Sequence, residues 1–318
     1  TQLLVKKLSK IERRVRLINR IGRYGLSSAI NEGCLNSTGE VIAIMDSDGQ
    51  HEVKSVYEAI DLLINGNCDL IIGSRFLEKS SIKGLSAKRK DGSSYANTLA
   101  RNTLSKEYRH ITDYMSGCFV FKTISCMEEI KKIDVNGFKF LYELLALTKG
   151  KLKIKEIPLQ FKSRKFGYSK LDIAVIWDFV ISLIHTFINR IIPRKAISFG
   201  VVGSIGVLVH LAMVYFLISI TSLSFIQVLP FAGVSAASSN FLINNMFTFR
   251  NKRLRGIGLF YGLLKFLMVS SIPLVANVGL AASYYTFISP NTFISQMAGI
   301  IVVFIWNYVA SSKFVWKE

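Results

Sequence analysis

The chain has 318 residues, half of them apolar, and 40 Lys and Arg against 21 Asp and Glu give it a formal net charge of +19. A mean hydropathy of +0.36 with so few charged residues excludes a disordered chain and an ordinary soluble enzyme. The charge is uneven: residues 196–318 hold seven bases (Arg250, Lys252, Arg253, Arg255, Lys265, Lys313 and Lys317) and one acid, Glu318, so a basic, water-soluble part precedes a lipid-soluble one. Cys34, Cys68, Cys118 and Cys126 lack CxxC spacing and adjacent histidines, and read as buried free thiols in a reducing compartment.

In chain order, the apolar runs Val15–Ile18, Val41–Met45 and Leu70–Ile72 predict buried strands. Residues 26–37, 53–65 and 94–105 have helical periodicity, and Lys153–Phe161 alternates as a strand does. The alternation of strand and helix predicts an α/β layer with a largely parallel sheet. Its most informative point is Val41-Ile-Ala-Ile-Met-Asp46-Ser-Asp48-Gly-Gln50-His51, a strand that runs directly into two acids and a glycine turn. Ligands of open α/β sheets bind beyond the carboxyl ends of strands, and two carboxylates there suit a hard cation such as Mg²⁺ with substrate phosphates completing its shell.

Residues 171–192 form an apolar helical stretch in which Asp178, Ser182, His185 and Asn189 recur on one face, as expected of an amphipathic helix lying in the headgroup plane. Ala196–Phe249 and Phe266–Ser312 then contain no Lys, Arg, Asp or Glu. Roughly 20 apolar residues cross a bilayer, so each stretch accommodates two helices, near 196–219, 226–248, 262–287 and 293–313. The turns near Thr221–Ser224 and Ser289–Thr292 are uncharged, whereas Arg190, Arg194, Lys195, Arg250–Arg255 and Lys313–Lys317 lie at the other helix ends. The positive-inside rule puts the soluble part, the middle loop and the C-terminus in the cytoplasm.

The two hairpins repeat. Without a gap, and 67 residues apart, Phe199-Gly-Val-Val-Gly-Ser-Ile aligns with Phe266-Leu-Met-Val-Ser-Ser-Ile. At the same offset the segment from Asn240 to Arg250 aligns with that from Asn307 to Lys317. This pattern over residues 195–317 resembles the GtrA-like four-helix membrane domains. Asn240, Asn244, Asn245 and Asn307 are read either as contacts to a lipid phosphate or as interhelical hydrogen bonding.

In the soluble part six motifs occur in order: Arg23-Tyr-Gly-Leu-Ser-Ser-Ala, Met45-Asp-Ser-Asp-Gly-Gln-His51, Gly73-Ser-Arg75, Asp113-Tyr-Met-Ser-Gly117, Asn136-Gly-Phe-Lys-Phe140 and Gly167-Tyr-Ser-Lys-Leu171. Together they resemble the dolichyl-phosphate mannose synthase group of glycosyltransferase family 2, some members of which carry a GtrA-like domain. The resemblance implies an α/β GT-A-type domain over residues 1–170, an interfacial helix over 171–194, and a membrane domain of four transmembrane helices over 195–318. It implies that Asp46 and Asp48 are the catalytic metal and diphosphate acids, that Gln50 joins them at Mg²⁺ or Mn²⁺, and that Arg75 is catalytic. Arg89 and Ser93 match the Arg-x-x-x-Ser that cradles the acceptor phosphate, and Arg164 and Lys170 match further phosphate-binding bases. Asp113 is read two ways, as orienting a sugar hydroxyl or as capping a turn, while Glu143 reads as structural. Departures from the family's pattern are Gly49 for Leu, Glu52-Val53 for prolines and Tyr114 for Pro; none removes a charged group.

The family's opening strand and Asp-Asp-Gly-Ser turn, which hold the nucleotide base and ribose, precede the region where this chain starts. The domain is therefore expected to be incomplete at its N-terminus and, as this polypeptide stands, to bind nucleotide poorly or to misfold in its soluble part. The implied activity is inverting transfer of a hexose, mannose from GDP-mannose in the first instance, onto dolichyl or polyprenyl phosphate. The alternatives are UDP-glucose as donor, or a non-catalytic protein assisting lipid-linked sugar translocation. A nucleic-acid partner is not expected, since the basic face also suits anionic lipids, and a processive synthase would require a Gln-x-x-Arg-Trp motif that is absent. An oligomer is compatible with these features.

Overall fold

The computed structural model describes residues 2–21, 25–78, 80, 87–134, 139–160, 173–288 and 292–317. The chain divides into two compact units, residues 1–189 and 190–318. In the first, α1 (Gln2–Ile11), α2 (Leu26–Leu35), β1 (Val41–Met45), α3 (Val53–Asn65), β2 (Leu70–Ser74) and α4 (Ala87–Thr103) are followed by β3 (Cys118–Lys122), α5 (Thr123–Ile130), α6 (Phe140–Thr148), β4 (Ile154–Pro158) and α7 (Ile173–Phe187).

The sheet order is β1-β3-β2-β4. It is mixed, which corrects the expectation of a largely parallel sheet: β3 runs antiparallel to both β1 and β2, and only β2 and β4 pair in parallel. The reason is the aromatic and β-branched segment Cys118-Phe-Val-Phe-Lys, not recognised from the sequence, which inserts between two strands that otherwise share a direction. Side chains alternate across the sheet as a two-residue period requires. Leu70, Ile72, Phe119 and Phe121 enter the larger core, with Phe119 stacked between Phe121 and Phe140 at 6.3 and 6.2 Å. Ile71 and Val120 point the other way, onto Ala59 and Leu63 of α3. Helix α3 presents Val56, Ala59, Ile60 and Leu63 at helical spacing to that face, and it stops before Gly66, where a Cβ would strike the Leu62 carbonyl.

Two other strand expectations change. Val15–Ile18 forms no strand: Leu17 and Ile18 are exposed and the segment has no strand partner among the described residues. Val41–Met45 is a strand, but only Ile42 is buried, because β1 lies at a sheet edge with β3 as its one partner among the described residues. Helix α7 belongs to the first unit, with Leu183 in its core and Phe179 edge-on to Tyr142 at 6.0 Å. Ser182 and His185 of the polar stripe are buried, while Ile173, Ile176, Val180 and Phe187 form an exposed apolar face. At 15 residues the helix is shorter than a span.

The second unit consists of α8 (Arg194–Ile220), α9 (Phe225–Ile243), α10 (Ile257–Phe287) and α11 (Thr292–Ala310). Among the described residues Arg194–Ile220, Phe225–Thr248 and Ala298–Val315 are long and apolar enough to cross a membrane. Helix α10, at 31 residues, is the longest, and Ile257–Ile272 is its described apolar stretch. The repeat is structural: α9 and α11 both have 19 residues, and each runs into a five-residue π-helical turn, Asn244–Thr248 and Ser311–Val315. The aromatic contacts also come in pairs related by exchange of the two halves. Phe199–Tyr308 at 5.7 Å corresponds to Phe266–Phe241 at 5.8 Å, and Phe199–Phe249 at 6.5 Å to Phe266–Trp316 at 5.9 Å. Phe249 and Trp316, themselves equivalent, stack on one another at 4.1 Å and 11°. Two similar hairpins therefore meet about an approximate two-fold axis.

Trp316 contacts three rings and donates its indole N–H to Asn245 at 3.1 Å. Trp316→Ala is expected to destabilise this unit by about 3–5 kcal/mol, whereas Trp316→Phe, which supplies the Phe249 side chain, should retain most of that stability. Thermal unfolding of both variants in detergent checks this.

Candidate active site

The mixed sheet assembles the site. The register places Met45 opposite Cys118 and Ile72 opposite Phe119, so the carboxyl ends of β1 and β2 flank the amino end of β3. Asp46 leaves β1, Arg75 leaves β2 and Asp113–Gly117 enters β3 along one edge, where ligands of α/β sheets are held. Asp46 continues the β1–β3 ladder, its N–H donating to the Gly117 carbonyl at 3.1 Å. A Cβ at Gly117 would overlap the Asp46 carboxylate, so the absence of a side chain there allows that carboxylate to lie over the strand.

The turn after β1 is shaped by Asp48, whose Oδ1 accepts the Gln50 N–H at 3.1 Å, and by Gly49 at φ +75°. Gln50 and His51 are buried beneath it, with His51 Nε2 4.0 Å from Asp46 Oδ2. The Asp46 side chain remains 37% exposed. Among the described residues no cluster of three or more His, Cys, Asp or Glu side chains forms a closed metal cage. The donor set is thus oxygen, two carboxylates on an open turn, which fits a cation such as Mg²⁺ that keeps water and phosphate in its shell.

Asp113 is fully buried and accepts from Arg75 through both oxygens, from Nε at 2.7 Å and from Nη2 at 2.9 Å. It also receives the backbone N–H groups of Arg75 and Met115, both at 3.2 Å. Burial opposes the charge on Arg75, but Asp113, with Asp46 beyond it, more than offsets that cost and raises its pKa. The Asp113 loop is fixed from behind by Glu156 on β4, whose carboxylate accepts the N–H of Thr112 at 2.9 Å and of Asp113 at 3.1 Å. Burial raises the Glu156 pKa, although these hydrogen bonds pull it the other way.

Ser93 is half-buried on α4, and one turn on, at the same helix face, Asn97 accepts the Tyr114 N–H at 2.9 Å. That bond turns the Ser93 face of α4 towards the Asp113 loop. Arg89 precedes Ser93 by one turn, but its side chain lies outside the described residues, as do Arg164 and Lys170. The structure therefore brings Asp46, Asp48, Gln50, Arg75 and Asp113 together, with Ser93 on the adjoining helix.

Sequence reasoning missed three contributors. Lys139 lies within electrostatic reach of the site; burial and the nearby Arg75 bring its ammonium pKa down to about 8, against the pull of Asp113 and Asp46. Its position within Asn136-Gly-Phe-Lys-Phe140 was the available signal. Asn97 could have been found by helical spacing from Ser93, whereas nothing in the alternating β4 segment distinguishes Glu156. The cysteines are free, and burial raises Cys34 and Cys118 to about 11 and Cys126 to about 12, so these thiols stay protonated rather than act as nucleophiles.

Asp113→Asn leaves the Arg75 guanidinium enclosed without a counter-charge and is expected to destabilise the first unit by about 3–5 kcal/mol. Urea unfolding followed by tryptophan fluorescence checks this, with an unchanged midpoint counting against the pairing.

Residues 1–128 match the model of Glycosyl transferase family 2, and residues 198–316 match that of the GtrA/DPMS transmembrane domain. A dolichol-phosphate mannosyltransferase of Pyrococcus furiosus is 30% identical over 305 residues, covering 95% of this chain and 83% of that protein. A dolichol-phosphate mannosyltransferase of Mycosarcoma maydis is 32% identical over 62% of this chain and 63% of its own. A polyprenol monophosphomannose synthase of Mycolicibacterium smegmatis is 28% identical over 50% of this chain and 60% of its own. These matches set aside the non-catalytic reading. With its mixed α/β unit joined to apolar helices of the GtrA type, the chain is a membrane-bound glycosyltransferase that belongs to the dolichol-phosphate mannosyltransferase family of glycosyltransferase family 2.

Proposed function

We propose that this protein transfers mannose from GDP-mannose to a dolichyl or polyprenyl phosphate, with inversion, giving a β-linked lipid-phosphate sugar. The convergence of Asp46 with the Arg75–Asp113 pair at the carboxyl ends of β1 and β2 carries this reading. Asp46 and Asp48, with Gln50 beside them, would hold Mg²⁺ or Mn²⁺, which when bound neutralises charge on a departing nucleoside diphosphate. A phosphate monoester acceptor is largely ionised at neutral pH, so its oxygen attacks the anomeric carbon without a strong general base. The bond that forms is phosphate oxygen to sugar carbon, and the bond that breaks joins that carbon to the diphosphate, whose electron pair it keeps. Arg75, fixed in one plane by Asp113, would align a phosphate by paired hydrogen bonds. Ser93, with Arg89, Arg164 and Lys170, is assigned to the acceptor phosphate.

The uncharged turn at Thr221–Ser224 and the bases at Arg194, Lys195, Arg250–Arg255 and Lys313–Lys317 support a cytoplasmic catalytic unit and C-terminus. The exposed apolar face of α7 supports its lying in the headgroup layer, over a segment, 171–194, that joins the catalytic part to the membrane domain.

Labelled GDP-mannose and UDP-glucose, offered separately with polyprenyl phosphate in detergent, test the donor. Mannose alone should be transferred, and EDTA should abolish the transfer until Mg²⁺ or Mn²⁺ is restored. Transfer of glucose alone would overturn the donor assignment. Gly117→Ala, which displaces the Asp46 carboxylate, should lower kcat by about tenfold or more with little change in Tm.

A further inference from the structure

The second unit contains a cavity lined by none of the residues assigned above to the transfer reaction. Where α9 meets the loop before α10, a space of about 340 Å³ is lined by Leu242, Asn245, Met246, Arg253, Arg255 and Leu259. The loop is held in place: Asn245 donates from Nδ2 to the Leu254 carbonyl at 3.1 Å and accepts the Leu254 N–H at 2.8 Å. The same Asn245 oxygen receives the Trp316 indole, and Gly256 turns the chain into α10 at φ +53°. Leu254 packs inward on the aromatic cluster, and Arg253 and Arg255, on either side of it, are exposed.

Two arginines thus stand at one cavity, and the described residues of their own unit include no acid. Residues 190–317 contain no Asp or Glu, and neither arginine has an acidic partner among the described residues. The remaining wall is apolar and open. Leu242, at the end of α9, and Met246, in the π-helical turn that continues it, are exposed on one side, and Leu259 of α10 lines the other, within the residues that match the membrane domain. A pair of planar cations beside an apolar wall matches a phosphate headgroup that carries hydrocarbon chains.

We propose that this cavity binds an anionic glycerophospholipid, with its phosphate on Arg253 and Arg255 and its acyl chains along α9 and α10. The site rests on the membrane character of this unit and not on the identity of the donor or acceptor. It ties the α9–α10 loop to the leaflet surface through a ligand that the reaction neither consumes nor forms.

Native mass spectrometry of the full chain, released from phosphatidylglycerol-containing membranes in mild detergent, tests this. The wild type should retain one phosphatidylglycerol. Arg253→Gln/Arg255→Gln should lower its occupancy about tenfold or more, with an unchanged Tm after delipidation. Met246→Trp, which fills the cavity from an exposed wall position, should do the same without altering charge. Delipidated wild type should rebind phosphatidylglycerol in preference to phosphatidylcholine and to polyprenyl phosphate. Equal retention by wild type and both variants would overturn the proposal, as would rebinding of polyprenyl phosphate alone, which would make the cavity an acceptor site.

Discussion

The catalytic unit depends on a buried fork in which Asp113 holds Arg75 through two short hydrogen bonds. An isolated arginine could not be enclosed there, because desolvating its charge without a partner costs several kcal/mol. With Asp113 beneath it the guanidinium is fixed in one plane, beside the carboxylate of Asp46 and the turn that carries Asp48. Asp113 is itself held by Glu156, so an acid on β4 ultimately positions a base at the end of β2. This relay explains why a mixed sheet serves the site: β3 runs against its neighbours and so delivers the Asp113–Gly117 loop beside the ends of both β1 and β2.

The membrane unit satisfies a different constraint. Lipid offers no hydrophobic drive between helices, so association must come from packing and from a few polar contacts. Here the duplicated hairpins supply matching rings: Phe199 and Phe266 each contact a ring of the opposite half at nearly the same distance, and each contacts a ring of its own half in a corresponding way. The symmetry breaks where position 245 is Asn and its counterpart, position 312, is Ser. The Asn245 amide bridges to both backbone groups of Leu254 and so fastens the loop between α9 and α10. A duplicated scaffold with one altered copy therefore carries the arginine-lined cavity.

Much of this was legible in the sequence because it is local. The Asp46–Asp48 turn announces itself by a five-residue strand followed by two acids, and the membrane helices by long segments without charge. The repeat is read without a gap, and the structure reproduces it down to paired π-helical turns. What was missed is non-local. Nothing in Cys118–Lys122 indicates that it lies between β1 and β2, so the sheet was expected to be largely parallel. The sequence alone leaves Asp113 as a sugar ligand or a turn cap, and its engagement by Arg75 joins residues far apart in the chain. Helix α7 was expected from its polar stripe, but burial of Ser182 and His185 inverts the simple picture of that stripe facing water.

Asp113 acts on the reaction through Arg75, and a double-mutant cycle in kcat/KM for mannosyl transfer measures this coupling. Arg75→Ala and Asp113→Ala should each cause a large loss, and the double variant should be no worse than Arg75→Ala alone. Losses that multiply in the double variant would contradict it and would assign Asp113 its own contact with the sugar.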